Sequence, residues 1–253
     1  MDFRNKVVLV TGAGAGIGRK SSLMFAERGA RVAINDLALS KGGVETLRLV
    51  QELGAKGILA AGDVSQAADA AKMVKETIAA FGRIDILVNN AGIVLPGRVD
   101  NMSEEDFDKT MRVNVKGAFL VAKYAILEMK KTGGGVIVNI ASVAALKGVT
   151  DRSAYCASKG ALVSLTRAMA ADYMKDNIRV NCVCPGTTYT PSLEERMQAH
   201  QDPAAMRAEF ISRQPMGRLG KEEEIAQAVL FACCDEAAFM NGSIVSIDGG
   251  ALV

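Results

Sequence analysis

Short runs of consecutive apolar residues recur along the chain, and between them lie longer stretches in which apolar positions repeat with helical period. Val7-Val8-Leu9-Val10, Ile84-Asp85-Ile86-Leu87-Val88 and Val136-Ile137-Val138-Asn139-Ile140 are nearly unbroken in apolar side chains. A strand wetted on one face alternates polar with apolar residues, so unbroken runs predict strands covered on both faces. Strands are predicted near 6–11, 31–35, 57–62, 84–88, 135–141, 178–184 and 243–247, with helices between them. Such alternation predicts one α/β domain over residues 1–253, a doubly wound, seven-stranded parallel sheet between two helical layers. Two of the predicted helices, near 103–130 and 153–175, are amphipathic.

The prolines add a detail to this frame. Pro185, Pro191, Pro203 and Pro215 fall in one segment, and only Pro96 lies outside it. Helix formers around Leu193–Met197 and Ala204–Phe210 predict two short helices, broken by prolines and inserted after the sixth strand. Loops at the carboxyl ends of parallel strands border the ligand crevice, so residues 186–216 are expected to act as a substrate lid. A surface excursion without function is the alternative.

Composition narrows the chemistry. The chain has 253 residues, 49% of them apolar, and folding at this size buries roughly 70–75% of the unfolded surface. Thirty basic residues stand against 28 acidic ones, interspersed, for a formal charge of +2. Nucleic acid is therefore not an expected partner. Nothing approaches the ~18 consecutive apolar residues of a membrane span, and no signal-peptide core follows Met1, so a cytoplasmic protein without a membrane partner is expected. One histidine, His200, cannot build a His-rich metal site. No metal is expected, and proton chemistry falls to another side chain. The five cysteines form no CxxC pair and read as free thiols in a reducing compartment.

Between the first strand and first helix stands Thr11-Gly12-Ala13-Gly14-Ala15-Gly16-Ile17-Gly18. It does not fit GxGxxG in any register. Glycines nevertheless let backbone approach a pyrophosphate closely, and the helix start that follows offers unpaired N–H groups. Gly12, Gly16, Ile17 and Gly18 are thus candidates for dinucleotide binding in a Rossmann-type fold. The second strand ends at Asp36, whose carboxylate can accept from ribose hydroxyls while repelling a 2′-phosphate, which selects NAD over NADP. Neither Ala15 nor Leu37 supplies a cation for such a phosphate. Asp36 could instead only cap the next helix. Asp63 and Val64, after the third strand, could bracket the adenine, and Asp63 equally suits a turn.

Tyr155-Cys156-Ala157-Ser158-Lys159 places Tyr155 and Lys159 on one helix face. An ammonium within about 4–6 Å favours the phenolate by about 1–3 pKa units, which would let Tyr155 act as a general base near neutrality. Ser142, after the fifth strand, is placed to hydrogen-bond the oxygen that gains or loses the proton.

With Gly12, Gly16 and Gly18, the segment Asn89-Asn90-Ala91-Gly92, Asn114 in Val113-Asn114-Val115, Ser142, the Tyr155/Lys159 pair, and Pro185-Gly186 with Thr190, the sequence resembles the short-chain dehydrogenase/reductase family over nearly its whole length. The resemblance implies hydride transfer between a nicotinamide and a carbinol carbon. Tyr155 would remove the hydroxyl proton, Lys159 would lower its pKa and hold the nicotinamide ribose, and Ser142 would orient the substrate oxygen. Asn114 would bend its helix and anchor a water in the proton relay. Asn90, Ala91, Gly92, Pro185, Gly186, Thr188 and Thr190 would line the cofactor crevice. Gly242-Ser243 near the last strand departs from the Thr-Gly common in the family.

Three arginines fall in segments that this fold places over the nicotinamide: Arg152, Arg196 and Arg213. Guanidinium forks suit carboxylates. Arg196 could instead pair with Glu194 or Glu195. The segments around Lys147–Arg152, Thr190–Arg196 and Arg213-Gln214 resemble the cytosolic type 2 3-hydroxybutyrate dehydrogenases and the 2-keto-3-deoxy-L-fuconate dehydrogenases. That resemblance implies NAD and a small hydroxy or keto acid. Two alternatives stand beside it: an NADP-dependent 3-oxoacyl-carrier-protein reductase, and a regulatory protein that binds dinucleotide without turnover. The resemblance also implies a homotetramer built through the two amphipathic helices, for which internal packing is a sufficient alternative.

Overall fold

The computed structural model describes residues 1–37 and 40–253. Seven strands, β1 (Val7–Val10), β2 (Arg31–Ile34), β3 (Gly57–Leu59), β4 (Ile86–Asn89), β5 (Gly135–Ile140), β6 (Ile178–Pro185) and β7 (Ile244–Ile247), form one sheet in the order β3-β2-β1-β4-β5-β6-β7. All pairings are parallel, with Val8 aligned to Val32 on one side and Ile86 on the other.

The unbroken apolar runs have a direct explanation. Val8, Val10, Val32, Ile34, Ile86, Val88 and Val138 face one layer, where they pack with Phe25, Val50, Ile225 and Val229. Their neighbours Leu9, Ala33, Leu87 and Ile137 face the other, against Met73, Val121, Ile126 and Met169. The first layer holds α1 (Gly16–Glu27), α2 (Lys41–Glu52) and α9 (Glu222–Cys233), and the second holds α3 (Ala67–Phe81), α5 (Gly117–Lys131) and α6 (Ser153–Asp172). The single-domain, doubly wound fold is as expected.

Two helical segments differ in detail. The stretch expected as one helix near 103–130 is α4 (Glu104–Met111), a π-helical segment at Arg112–Lys116, and then α5. The wider turn is tied to tertiary bonds of Asn114, described below, and π segments of this kind often mark functional positions. After β6, the prolines start the two short helices rather than break them. Pro191 and Pro203 lie in the first turns of α7 (Pro191–Gln198) and α8 (Pro203–Ser212), where a missing N–H costs nothing, and Thr190 and Asp202 cap the helices. Leu193, Met197 and Leu219 give these helices a small core of their own.

Because the order reverses between β1 and β4, the carboxyl ends of these two strands open a crevice at the switch point. No helix among the described residues is long and apolar enough to cross a membrane.

Candidate active site

The turn after β1 is built for close approach. Gly12 has φ 60°, and a Cβ there would stand 2.8 Å from the Ala91 Cα, so the position admits neither a side chain's usual backbone nor its bulk. Thr11, which carried no role in the sequence reading, fastens this turn to β4. Its hydroxyl accepts from the backbone N–H groups of Asn90 and Ala91 at 3.0 and 3.1 Å. The Asn90 side-chain amide returns bonds to the carbonyls of Thr11 and Gly12 at 2.9 and 3.0 Å.

Helix α1 starts at Gly16 behind Ala15, which supplies no side-chain cap, and its first turn carries no acidic residue. Its leading N–H groups are left for an external acceptor, and the positive end of the helix favours an anion. This uncapped helix start and the glycine turn fit the pyrophosphate of a dinucleotide.

A cleft of about 860 Å³ runs from this turn across the strand ends. On the β1 and β4 side it is lined by Gly12, Gly16, Ile17, Asp36, Asn90, Ala91 and Gly92. On the β5 and β6 side it is lined by Ser142, Arg152, Tyr155, Lys159, Pro185, Gly186, Thr188 and Thr190, and α7 and α8 add Arg196 and Arg213. Gly18 lies beneath the wall, under Asn90. Asp63 and Val64 do not line this cleft, contrary to expectation. The Asp63 carboxylate closes its own turn by accepting from the Ser65 N–H at 2.9 Å, and Val64 is buried against Gly117.

Ser142, Tyr155 and Lys159 meet in the middle of the cleft. The Ser142 side chain lies beside the Tyr155 phenol, and its hydroxyl accepts from the Ala144 N–H at 3.1 Å. Lys159 is 4% exposed, and its ammonium donates to the Ile140 carbonyl at 2.8 Å while lying 5.7 Å from the Tyr155 ring centroid. Asn114 is fully buried in the π segment. Its Oδ1 accepts from the Ile93 N–H at 2.8 Å, and its Nδ2 donates to the Ile93 carbonyl and the Ser158 hydroxyl, each at 3.0 Å. These bonds link α6 to the segment after β4.

The electrostatics correct one expectation. Burial pushes the Tyr155 phenol above its ordinary value, opposed by the nearby Ser142 hydroxyl and then by the charges of Arg196 and Arg152. Burial also lowers Lys159 to about 8, which weakens the ammonium that was expected to bring the phenol down. Tyr155 therefore rests protonated at neutral pH.

The three arginines divide. Arg213 pairs with Glu209 and stacks over Phe210 at 5.3 Å. Arg196 forms no ion pair among the described residues. Its guanidinium donates to the Ser192 carbonyl at 3.2 Å, while Glu194 bonds Gln198 at 2.7 Å. Arg152 likewise has no acidic partner among the described residues, and donates to the Asp151 carbonyl at 2.6 Å. Arg196 is exposed at the cleft, yet desolvation and then the charge of Arg152 lower its pKa, so the two cations feel each other and the same phenol.

Lys147 and Gln214 also line the cleft and had no assigned role. Lys147 bonds the Ala251 carbonyl, and Gln214 donates to the Thr187 hydroxyl at 2.9 Å, closing the base of the α7–α8 excursion. Only their loop positions could have pointed to them.

A glycine turn at a switch point, joined to a serine, tyrosine and lysine in one cleft, defines a dinucleotide-dependent oxidoreductase site. Comparison with known proteins agrees. A family model described as enoyl-(acyl carrier protein) reductase matches residues 12–251. An uncharacterized oxidoreductase of Thermotoga maritima is 57% identical over 251 residues, covering 99% of this chain and 99% of its own. The 2-(S)-hydroxypropyl-CoM dehydrogenase 3 of Xanthobacter autotrophicus is 40% identical, over 98% of this chain and 97% of that protein. The crystal structure of levodione reductase superposes with a TM-score of 0.93 at 36% identity, over 98% of each chain. The chain belongs to the short-chain dehydrogenase/reductase family, as an oxidoreductase of CH–OH-type substrates.

Proposed function

We propose that this protein is an NAD-dependent dehydrogenase of small, carboxylate-bearing secondary alcohols and their ketones, of the 3-hydroxybutyrate or deoxy sugar acid kind. The observation that carries the reading is the pair Arg152 and Arg196, which share the cleft with Tyr155 and have no acidic partner among the described residues. Arg152 lies close enough to Arg196 to repel its charge, and a bound carboxylate would offset that repulsion with charge-assisted hydrogen bonds to both guanidiniums.

The chain's own groups divide the work. Gly12, Gly16, Ile17 and the start of α1 would hold the pyrophosphate, and Asp36 would accept from the adenosine ribose. Lys159 and Tyr155 would hold the nicotinamide end, with Asn90 to Gly92, Pro185, Gly186, Thr188 and Thr190 as the walls. When bound, the nicotinamide would supply or take the hydride. Ser142 fixes the substrate oxygen beside the Tyr155 hydroxyl. In reduction the phenol gives its proton to that oxygen, and in oxidation the phenolate takes it back. Asn114 keeps the helix carrying Tyr155 and Lys159 in register with the segment after β4. Helices α7 and α8 serve as the lid that brings Arg196 over the substrate.

Self-association belongs to the same reading. Phe107, Phe119 and Leu127 stand 42%, 48% and 53% exposed on α4 and α5, the helical face on which a homotetramer would assemble in a cytoplasmic enzyme. Light scattering on the purified protein measures this directly.

The test of the reading is a substrate panel. With NAD, 3-hydroxybutyrate and deoxy sugar acids are expected to exceed their neutral amides in kcat/KM by at least about tenfold, the worth of one charge-assisted hydrogen bond. Equal or better turnover of the neutral analogues would overturn it.

A further inference from the structure

The Asp36 carboxylate is held from several sides. Its Oδ1 accepts from the Leu37 N–H at 2.8 Å, and its Oδ2 accepts from the Ser40 hydroxyl at 2.6 Å. A Cβ at Gly14 would overlap Oδ2, and one at Gly43 would lie 3.1 Å from the Asp36 Cβ, so glycines flank the acid on two elements. Ser40 Oγ also accepts from the Gly43 N–H at 3.3 Å, which makes it the N-cap of α2. One hydroxyl therefore serves two acceptor and donor roles at once: it starts a helix and fastens a carboxylate. Arg19, the cation nearest in sequence to the glycine turn, is bonded elsewhere, to the Gly14 and Gly42 carbonyls and to Thr46 Oγ1 at 2.9 Å.

A carboxylate in this position must accept two bonds from a vicinal diol or stand against a phosphate. Either task gains from a side chain whose rotamer is already fixed, because ordering it during binding costs affinity. Each Asp36 oxygen spends one lone pair on the protein and keeps capacity for the ligand, since an ionised carboxylate accepts about four bonds.

We propose that Ser40 is a positioning residue for dinucleotide selectivity: it locks the Asp36 carboxylate against Gly14, and this lock sets the preference for NAD over NADP. The inference rests on the NAD reading above. Ser40 acts through Asp36 and touches no reacting atom.

The test is direct cofactor binding by titration calorimetry, with NAD and NADP as probes, on the wild type and on Ser40→Gly, Ser40→Thr, Gly14→Ala and Asp36→Ala. Glycine retains most of the N-cap energy while removing the hydroxyl, and threonine restores it. Ser40→Gly is expected to lower the ratio of NAD to NADP affinity by about tenfold, the scale of one hydrogen bond to a charged group. Ser40→Thr is expected to keep the wild-type ratio, and Gly14→Ala to lower it by displacing the carboxylate. An unchanged ratio in Ser40→Gly, beside a ratio that collapses in Asp36→Ala, overturns the inference and leaves the NAD reading standing. Equal losses for both cofactors in Ser40→Gly overturn it too, because a cap alone would act that way. Tighter wild-type binding of NADP than of NAD overturns the reading itself, and the inference with it.

Discussion

Lys159 donates to the Ile140 carbonyl at 2.8 Å from a position that is 4% exposed, so its ammonium is held by a backbone oxygen rather than by an acid. Its pKa falls from 10.5 to about 8 because burial disfavours the charge. Below pH 8 the lysine is charged in both folded and unfolded chains and the burial penalty is fully present. Between about 8 and 10.5 the unfolded chain holds more protons, so stability rises with pH through that window. Lys159→Met is accordingly expected to stabilise the fold at pH 7 by up to about 3 kcal/mol, with the gain shrinking toward pH 10 while activity is lost. Urea denaturation at the two pH values measures the difference.

The raised phenol of Tyr155 sets the direction of easy chemistry. A protonated phenol is ready to donate, so ketone reduction with NADH is expected to be nearly level from about pH 6 to 8. Alcohol oxidation needs the phenolate, and its kcat/KM is expected to climb about tenfold per pH unit over the same range. Paired pH profiles of the two directions check this. A flat oxidation profile would mean that Tyr155 is already ionised at neutrality.

Arg196 and Arg213 line the same cleft and are expected to behave differently. The Arg213 charge is met by Glu209, whereas Arg196 has no acidic partner among the described residues. Arg196→Ala is expected to raise KM for acidic substrates by about 10- to 100-fold with kcat less affected, and Arg213→Ala by less than about threefold. Steady-state kinetics on both variants decides between one shared clamp and this unequal division.

Gly12→Ala tests the turn. It meets the Ala91 backbone at 2.8 Å and must hold φ 60°, so a loss of about 1–3 kcal/mol in stability is expected, with dinucleotide affinity reduced further. Thermal unfolding beside cofactor titration separates the two effects.

The sheet was readable because each strand carries an apolar side chain to both faces, as Val8 and Leu9 do on β1. The meeting of Tyr155 and Lys159 in one cleft was readable because their spacing is local to one helix. What escaped notice depends on distant partners. The π segment follows from Asn114 bonding Ile93 and Ser158, which no periodicity contains. The upward shift of Tyr155 comes from burial, which the spacing to Lys159 does not show. Asp63 looked like an adenine contact because it ends a strand, yet its carboxylate is taken by Ser65. Asp36 was read as a possible cap of the next helix, but Ser40 caps it, and the bond from Ser40 to Asp36 exists only once the turn is folded.

If Tyr155 moves the substrate proton in an NAD-dependent dehydrogenase of small hydroxy acids, Tyr155→Phe is expected to abolish turnover while sparing cofactor binding. Removing the hydroxyl leaves the ring in the cleft and the lysine beside it. Turnover of 3-hydroxybutyrate or a sugar acid with NAD is expected to fall by at least about 10²- to 10⁴-fold, with the dissociation constant for NAD within a few-fold of the wild type. Turnover that persists at the wild-type rate in Tyr155→Phe would show that another group moves the proton.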